Sequence, residues 1–154
     1  MKICMIGTGY VGLVSGTCFA DIGHQVYCVD KDLSKINQLN SGISPIYEPG
    51  LDELIKKNQK AKRLYFTTDL KKAITVSDII FICVGTPNIK GSLKVDLSSV
   101  FKCTKEILAI TKKKKIIVTK STVPIGTGDQ IENIIKKKKK LFSVISNPEF
   151  LREG

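Results

Sequence analysis

The most constraining feature of the sequence is a turn with three spaced glycines, Gly7-Thr8-Gly9-Tyr10-Val11-Gly12, between an apolar run at residues 2–6 and a segment of helical length starting at Tyr10. Each glycine has a distinct task in such a strand-turn-helix junction. Gly7 permits the tight turn, Gly9 lets the main chain approach a pyrophosphate, and Gly12 allows the helix to pack closely on the strand. The phosphates then meet the free N–H groups at the positive end of the helix. A second apolar run, 25–29, ends at Asp30, which stands 18 residues beyond Gly12, close to the ~20 residues that separate the turn from a ribose-binding carboxylate in dinucleotide sites. A carboxylate there accepts hydrogen bonds from an unmodified ribose diol and repels a 2′-phosphate, so NAD is expected in preference to NADP. Lys31 and Lys35 pull the other way, although neither is the arginine more usual for a 2′-phosphate.

The rest of the chain repeats this alternation. Apolar, β-branched runs at 2–6, 25–29, 64–67, 79–84, 115–119 and 142–146 read as buried parallel strands. Segments at 10–22, 33–40, 51–58, 70–76, 97–111 and 126–136 read as helices, and Asp32, Asp69 and Asp96 each stand where an N-cap belongs. With no repeat and no linker-like stretch, residues 1–154 form one domain. The expected fold is α/β, a doubly wound Rossmann-type parallel sheet with helices on both faces and right-handed crossovers. In such a fold ligands bind beyond the carboxyl ends of the strands. The loop Thr86-Pro87-Asn88-Ile89-Lys90-Gly91, which leaves the most hydrophobic strand, is therefore a better candidate than loops elsewhere.

Composition excludes some alternatives. The net charge of +11 invites a nucleic-acid partner, yet the excess is lysine, gathered at 112–115 and 136–140, with arginine only at Arg63 and Arg152 and aromatics at 6%. Groove and single-strand recognition draw on arginine and on stacking aromatics. The lysines are expected instead to fill solvated helix ends, where they suit the negative pole, and no nucleic-acid partner is expected. No apolar run approaches the ~20 residues of a membrane span, so no membrane partner is expected either. The five cysteines, Cys4, Cys18, Cys28, Cys83 and Cys103, form no C-x-x-C pair, and His24 is the one imidazole. They read as reduced core thiols of a cytoplasmic protein, with no metal site.

Five motifs in order resemble the UDP-glucose 6-dehydrogenase family. They are Gly7-Thr8-Gly9-Tyr10-Val11-Gly12-Leu13-Val14, Ile43-Ser44-Pro45-Ile46-Tyr47-Glu48-Pro49-Gly50-Leu51, Phe81-Ile82-Cys83-Val84-Gly85-Thr86-Pro87, Lys120-Ser121-Thr122-Val123-Pro124 and Asn147-Pro148-Glu149-Phe150-Leu151-Arg152-Glu153-Gly154. The resemblance implies oxidation of the C6 alcohol of UDP-glucose to UDP-glucuronate with two NAD, in a cytoplasmic enzyme whose full-length form is a homodimer. The GDP-mannose and UDP-N-acetylmannosamine dehydrogenases share much of the pattern and remain alternatives, as does a dinucleotide-binding module without chemistry. By the resemblance Val11, Asp30, Lys35, Thr86, Thr122 and Glu153 contact NAD. Together with Gly7, Thr8, Gly9, Tyr10, Gly12, Gly85, Pro87 and Ser121 they make up the expected cofactor set. Glu149, Phe150, Leu151, Arg152 and Glu153 correspond to the segment lining the sugar-nucleotide site, and Thr122, Glu149 and Glu153 to residues that assist the chemistry.

The residues themselves allow a second account of the last motif. If Pro148 opens a helical turn, Glu149 and Glu153 fall at i and i+4, either as base and water-orienting partner or as a solvated acidic helix start. Thr122 reads equally well as a turn hydroxyl capping the helix after Pro124. The covalent route the resemblance implies needs an activated cysteine. None of the five cysteines lies in the glycine-rich setting expected for it; Cys83 reads as a strand residue facing the core. The chain is therefore expected to be the amino-terminal, cofactor-binding part of a longer enzyme and to be inactive alone.

Overall fold

The computed structural model describes residues 1–92 and 94–149. Six parallel strands, β1 (Lys2–Ile6), β2 (Gln25–Val29), β3 (Leu64–Thr67), β4 (Ile79–Ile82), β5 (Lys115–Thr119) and β6 (Phe142–Ser146), form one sheet in the order β3-β2-β1-β4-β5-β6. The register places Ile3 beside Val26 and Ile79, at the sheet's centre. Six helices connect the strands: α1 (Tyr10–Asp21), α2 (Leu33–Asn40), α3 (Leu51–Lys60), α4 (Leu70–Val76), α5 (Ser98–Ile110) and α6 (Thr127–Ile135).

Successive residues of a strand face opposite sides, so a strand buried on both faces needs apolar residues throughout. β1 meets this demand. Ile3 and Met5 join Leu13, Ala20, Leu39 and Ile55 in a core under α1, α2 and α3. Cys4 and Ile6 join Ile74, Val100, Ile107 and Ile131 in a second core under α4, α5 and α6. Helix starts follow side-chain chemistry in two places: Asp32 accepts from the Lys35 N–H at 3.2 Å and Asp69 from the Lys72 N–H at 2.9 Å.

Several details differ from the sequence expectations. Strand β4 stops at Ile82 rather than residue 84, although the Cys83 N–H still donates to the Ile6 carbonyl at 2.8 Å. The N-cap of α5 is Leu97, and Asp96 acts one residue earlier by accepting from the Ser98 N–H at 2.8 Å. Helix α6 ends at Ile135, and residues Lys136–Leu141 continue as a 3-10 segment interrupted at Lys138. Lys115, expected both as the end of a lysine run and as the start of a strand, is a buried strand residue and not a solvated helix-end lysine. Its ammonium donates to the Ser77 and Thr75 carbonyls just past and within α4. Burial pulls its pKa down, against the nearby Asp78 carboxylate. Cys18 is exposed, whereas the other four cysteines are buried as expected, and all five are free thiols.

Candidate cofactor cleft

The strand order reverses between β1 and β4, and the chain leaves both strands at their carboxyl ends, which opens a crevice there. The glycine turn is held across it: the Gly7 N–H donates to Val29 at 2.8 Å and the Cys83 N–H to Ile6 at 2.8 Å. Gly7 has φ +103°, which only glycine adopts at ease, and a β-carbon there would lie 2.5 Å from the Cys83 carbonyl oxygen. A β-carbon at Gly12 would lie 2.0 Å from the Gly7 carbonyl oxygen, so the close approach expected at this position is to the turn itself. Gly9 differs from both. Its φ of −75° suits any residue, and nothing lies within 4 Å of where its side chain would project. Neither backbone nor packing requires glycine at this point; an incoming phosphate does. No side chain caps α1 at Gly9, so that helix end is open to such a ligand.

The turn borders a cleft of about 540 Å³ lined by Gly7, Thr8, Gly9, Asp30, Lys35 and Gly85 among others. Asp30 is the most tightly held group in it. One carboxylate oxygen, Oδ2, accepts from the Thr8 N–H (3.0 Å), the Thr8 hydroxyl (2.7 Å) and the Lys35 ammonium (3.5 Å), while Oδ1 accepts from the Asp32 N–H (3.1 Å). Burial pushes the Asp30 carboxyl up, but the Thr8 and Asp32 donors and the Lys35 charge outweigh it and hold the group below the usual carboxylate range. Ser99, Lys102 and Glu106 of α5 line the far wall and were not singled out from the sequence. Their spacing, which places them on one helical face, was the available signal.

Beside the cleft, the carboxyl ends of β4, β5 and β6 are tied into one unit. The Thr86 hydroxyl donates to the Thr122 carbonyl (2.8 Å), and the Thr122 hydroxyl donates to the Glu149 carbonyl (2.8 Å). Thr122 therefore does not cap α6, which starts after a left-handed Gly126, where the Thr127 hydroxyl closes the turn onto Pro124. The Ser121 hydroxyl is buried and donates to Val84 (2.7 Å), so its side chain fixes the loop after β4. Glu149 forms an ion pair with Lys120 (2.9 Å), and its N–H donates to the Lys120 carbonyl at 3.1 Å. Lys120 was quoted in a motif without a role, although a lysine at the carboxyl end of a buried strand lies where ligands bind. Residues 147–149 belong to no helix or strand, and the rest of the turn expected after Pro148 lies outside the described residues. Phe150, Leu151, Arg152 and Glu153 lie outside the described residues. Tyr10 and Val11 begin α1, with the Tyr10 hydroxyl 3.5 Å from the Tyr47 carbonyl, and Pro87 is exposed in the loop after β4.

Known proteins with this arrangement identify its family. The sequence profile of the UDP-glucose/GDP-mannose dehydrogenase family, NAD binding domain, matches residues 1–154. The chain belongs to this family. It is 56% identical to a UDP-glucose 6-dehydrogenase of Rhizobium meliloti (strain 1021) over 156 residues, covering 100% of this chain and 36% of that protein. It is 54% identical to a UDP-glucose 6-dehydrogenase of Bacillus subtilis (strain 168), covering 99% of this chain and 34% of the relative. The chain thus spans about a third of the length of these relatives. Among solved structures, a GDP-mannose dehydrogenase from Pseudomonas aeruginosa superposes with a TM-score of 0.92 at 40% identity, covering 99% of this chain and 37% of that one. A UDP-glucose dehydrogenase from Pyrobaculum islandicum superposes with a TM-score of 0.89 at 36% identity, covering 99% and 36%. The cleft is accordingly that of an NAD-binding domain, and the α/β Rossmann-type fold is that of these dehydrogenases. Among the described residues no helix is long and apolar enough to cross a membrane.

Proposed function

We propose that this chain is the cofactor-binding part of a cytoplasmic nucleotide-sugar dehydrogenase that oxidises the C6 alcohol of UDP-glucose to UDP-glucuronate with two NAD, working as a homodimer in its full-length form and without a nucleic-acid partner. The observation that carries the proposal is the joining of the Gly9 cradle to Asp30 across one cleft, in a chain 56% identical to a UDP-glucose 6-dehydrogenase. NAD supplies the hydride acceptor. The chain's own residues orient it: the N–H groups at the start of α1 take the phosphates and Asp30 takes the adenosine ribose. Gly85, Thr86, Pro87, Ser121 and Thr122, at the ends of β4 and β5, belong to the wall toward the reacting end, and Glu149 and residues 150–153 are assigned by the family resemblance to sugar-nucleotide binding. Thr122, Glu149 and Glu153 are assigned to assist the chemistry, Glu149 being held in place by Lys120.

The 154 residues are not expected to turn over alone. A thiolate nucleophile beside the reacting carbon is required; burial pushes the Cys83 thiol up to about 12 and the Cys103 thiol to about 11, with Cys4 and Cys28 raised as well, and the exposed Cys18 is not among the residues lining the cleft. Two measurements test the proposal. Titration of the chain with NADH, followed by fluorescence, is expected to saturate. Joining the chain to the remaining two thirds of the Rhizobium meliloti relative is expected to give UDP-glucose-dependent NADH formation, whereas the chain alone gives none. No NADH saturation in a folded sample, or sustained UDP-glucose oxidation by the chain alone, would overturn it.

A further inference from the structure

The residues that enter the strands form one level edge, and it is cationic. The register sets Lys2 beside Gln25 and Lys115 beside Phe142. The Val26 N–H donates to the Arg63 carbonyl at 2.7 Å and the Ile116 N–H to the Asp78 carbonyl at 3.1 Å. The starts of all six strands therefore lie in a row, which five interstrand spacings of ~4.8 Å make about 24 Å long. Lys60 and Lys62 stand exposed before β3, as do the lysines at 112–114 before β5 and at 136–140 before β6. The carboxylates near this edge are engaged: Asp21 with Lys57 (2.7 Å), Glu132 with Lys139 (3.3 Å) and Asp78 with the Lys2 N–H (3.2 Å). The acids of the helix starts, Asp32, Asp52, Glu53, Asp69 and Asp129, lie at the opposite edge, because these helices begin where strands end. The positive excess is thus gathered on the side away from the cofactor cleft, and two large apolar side chains, Met1 (66% exposed) and Ile22 (71%), stand out into solvent there.

We propose that this edge docks the chain on the surface of an anionic phospholipid bilayer, a contact that needs no membrane-spanning segment and does not depend on the activity proposed above. The field of an anionic leaflet decays within a Debye length, ~8 Å at physiological ionic strength. Lysines therefore contribute only where many of them reach one plane together, which a level edge provides. Nucleic acid is the competing polyanion, and the edge suits it less. Arg63 is committed to the Asn58 side-chain oxygen through Nε (3.2 Å) and Nη2 (2.9 Å), and the exposed Tyr10 and Tyr47 lie at the far edge beside the glycine turn. Phosphate forks and stacking platforms are thus not what this edge presents. Apolar side chains among lysines instead fit the boundary between headgroups and acyl chains. A chain docked this way turns its cofactor cleft to the aqueous side, roughly 16 Å of strand away from the lipid.

The test is flotation of the chain with vesicles of phosphatidylcholine alone and of two parts phosphatidylcholine to one part phosphatidylglycerol, beside an anisotropy titration of duplex DNA in the same buffers. The wild-type chain is expected to float with the anionic vesicles at about 0.1 M salt, to stay behind from the neutral ones, and to be released at about 0.5 M salt. Replacing Lys136, Lys137, Lys139 and Lys140 with glutamine is expected to lower the bound-to-free ratio at least about tenfold. Replacing Lys71, Lys72, Lys90 and Lys94, exposed on the cleft side of the sheet, removes the same charge and is expected to change the ratio less than about threefold. Each variant is checked for folding by circular dichroism, and glutamines at 112–114 take the place of the first set if it does not fold. Absence of flotation with anionic vesicles at about 0.1 M salt overturns the proposal, as does an equal loss in the two sets of variants. DNA binding without vesicle binding overturns it in favour of nucleic acid. The NADH titration decides the cofactor reading separately, since none of the replaced lysines lines the cleft.

Discussion

At the residue scale, the three glycines of the turn separate into structural and ligand-facing roles, and substitution distinguishes them. Gly12→Ala must push the Gly7 carbonyl aside, so it is expected to cost roughly 1–3 kcal/mol, the usual range for overpacking, read as a lowered thermal midpoint. Gly9→Ala meets open space and is expected to change stability by less than about 0.5 kcal/mol, while NADH affinity falls. Equal destabilisation by the two substitutions would contradict this division. Asp30 makes a second prediction. Its pKa is depressed in the folded chain, so the stability it confers is present above the unfolded carboxyl value of about 3.9 and is lost as pH falls through the lower folded value. Thermal midpoints measured from pH 6 to 3 are expected to fall more steeply for wild type than for Asp30→Asn. The thiols make a third. Cys18 is the one exposed cysteine, and burial raises the pKa of the other four. Iodoacetamide at pH 8 is expected to label Cys18 alone in the native chain and all five cysteines after denaturation, read by mass spectrometry.

At the element scale, helix ends show how far local chemistry reaches. Asp32 and Asp69 were legible as caps because each stands one residue before an amphipathic segment, and both accept the expected N–H. Asp69→Ala is expected to cost about 1 kcal/mol, a drop of roughly 2–4 °C in a chain of this size. The other end of α4 was not legible. Lys115 lies about forty residues further on, and only strand pairing brings its ammonium to the Ser77 and Thr75 carbonyls. Lys115→Met removes the donor and leaves the buried Ser77 carbonyl without it, so a loss of about 1–3 kcal/mol is expected in chemical denaturation. In the sequence Lys115 is both the last member of a lysine run and the first residue of an expected strand, and neither reading names its partners. The same limit explains Thr122, whose hydroxyl bonds to Glu149, 27 residues away, rather than to the helix that follows it.

At the scale of the whole molecule, the sheet separates two kinds of surface. The cofactor cleft opens at the carboxyl ends of β1, β2 and β4, whereas residues 112–114 and 136–140 precede β5 and β6 and therefore gather at the amino ends. The Lys138 ammonium donates to the Leu108 carbonyl (3.0 Å) at the end of α5, as expected of lysines at a negative helix pole. A five-residue strand is roughly 16 Å long, about twice the Debye length of ~8 Å at physiological ionic strength. Replacing Lys136, Lys137, Lys139 and Lys140 with glutamine is therefore expected to leave NADH affinity within about twofold, measured by the same titration at 0.15 M salt.

The sequence alone determined what depends on short-range order. The continuous apolar runs, the glycine turn and the two aspartate caps act over a few residues, and together they specified the elements, the doubly wound class and the NAD-binding cleft with Asp30 in it. Five ordered motifs carried the family, because each is long enough to be specific. The tertiary structure alone decided which side chains from distant segments meet. It set Lys120 against Glu149, Lys115 against the end of α4, α5 along the far wall of the cleft, and the Thr8 donors against the Asp30 carboxylate. Those contacts depend on strand order and register, which bring together residues from 22 to 40 positions apart, and no local pattern in the chain records them.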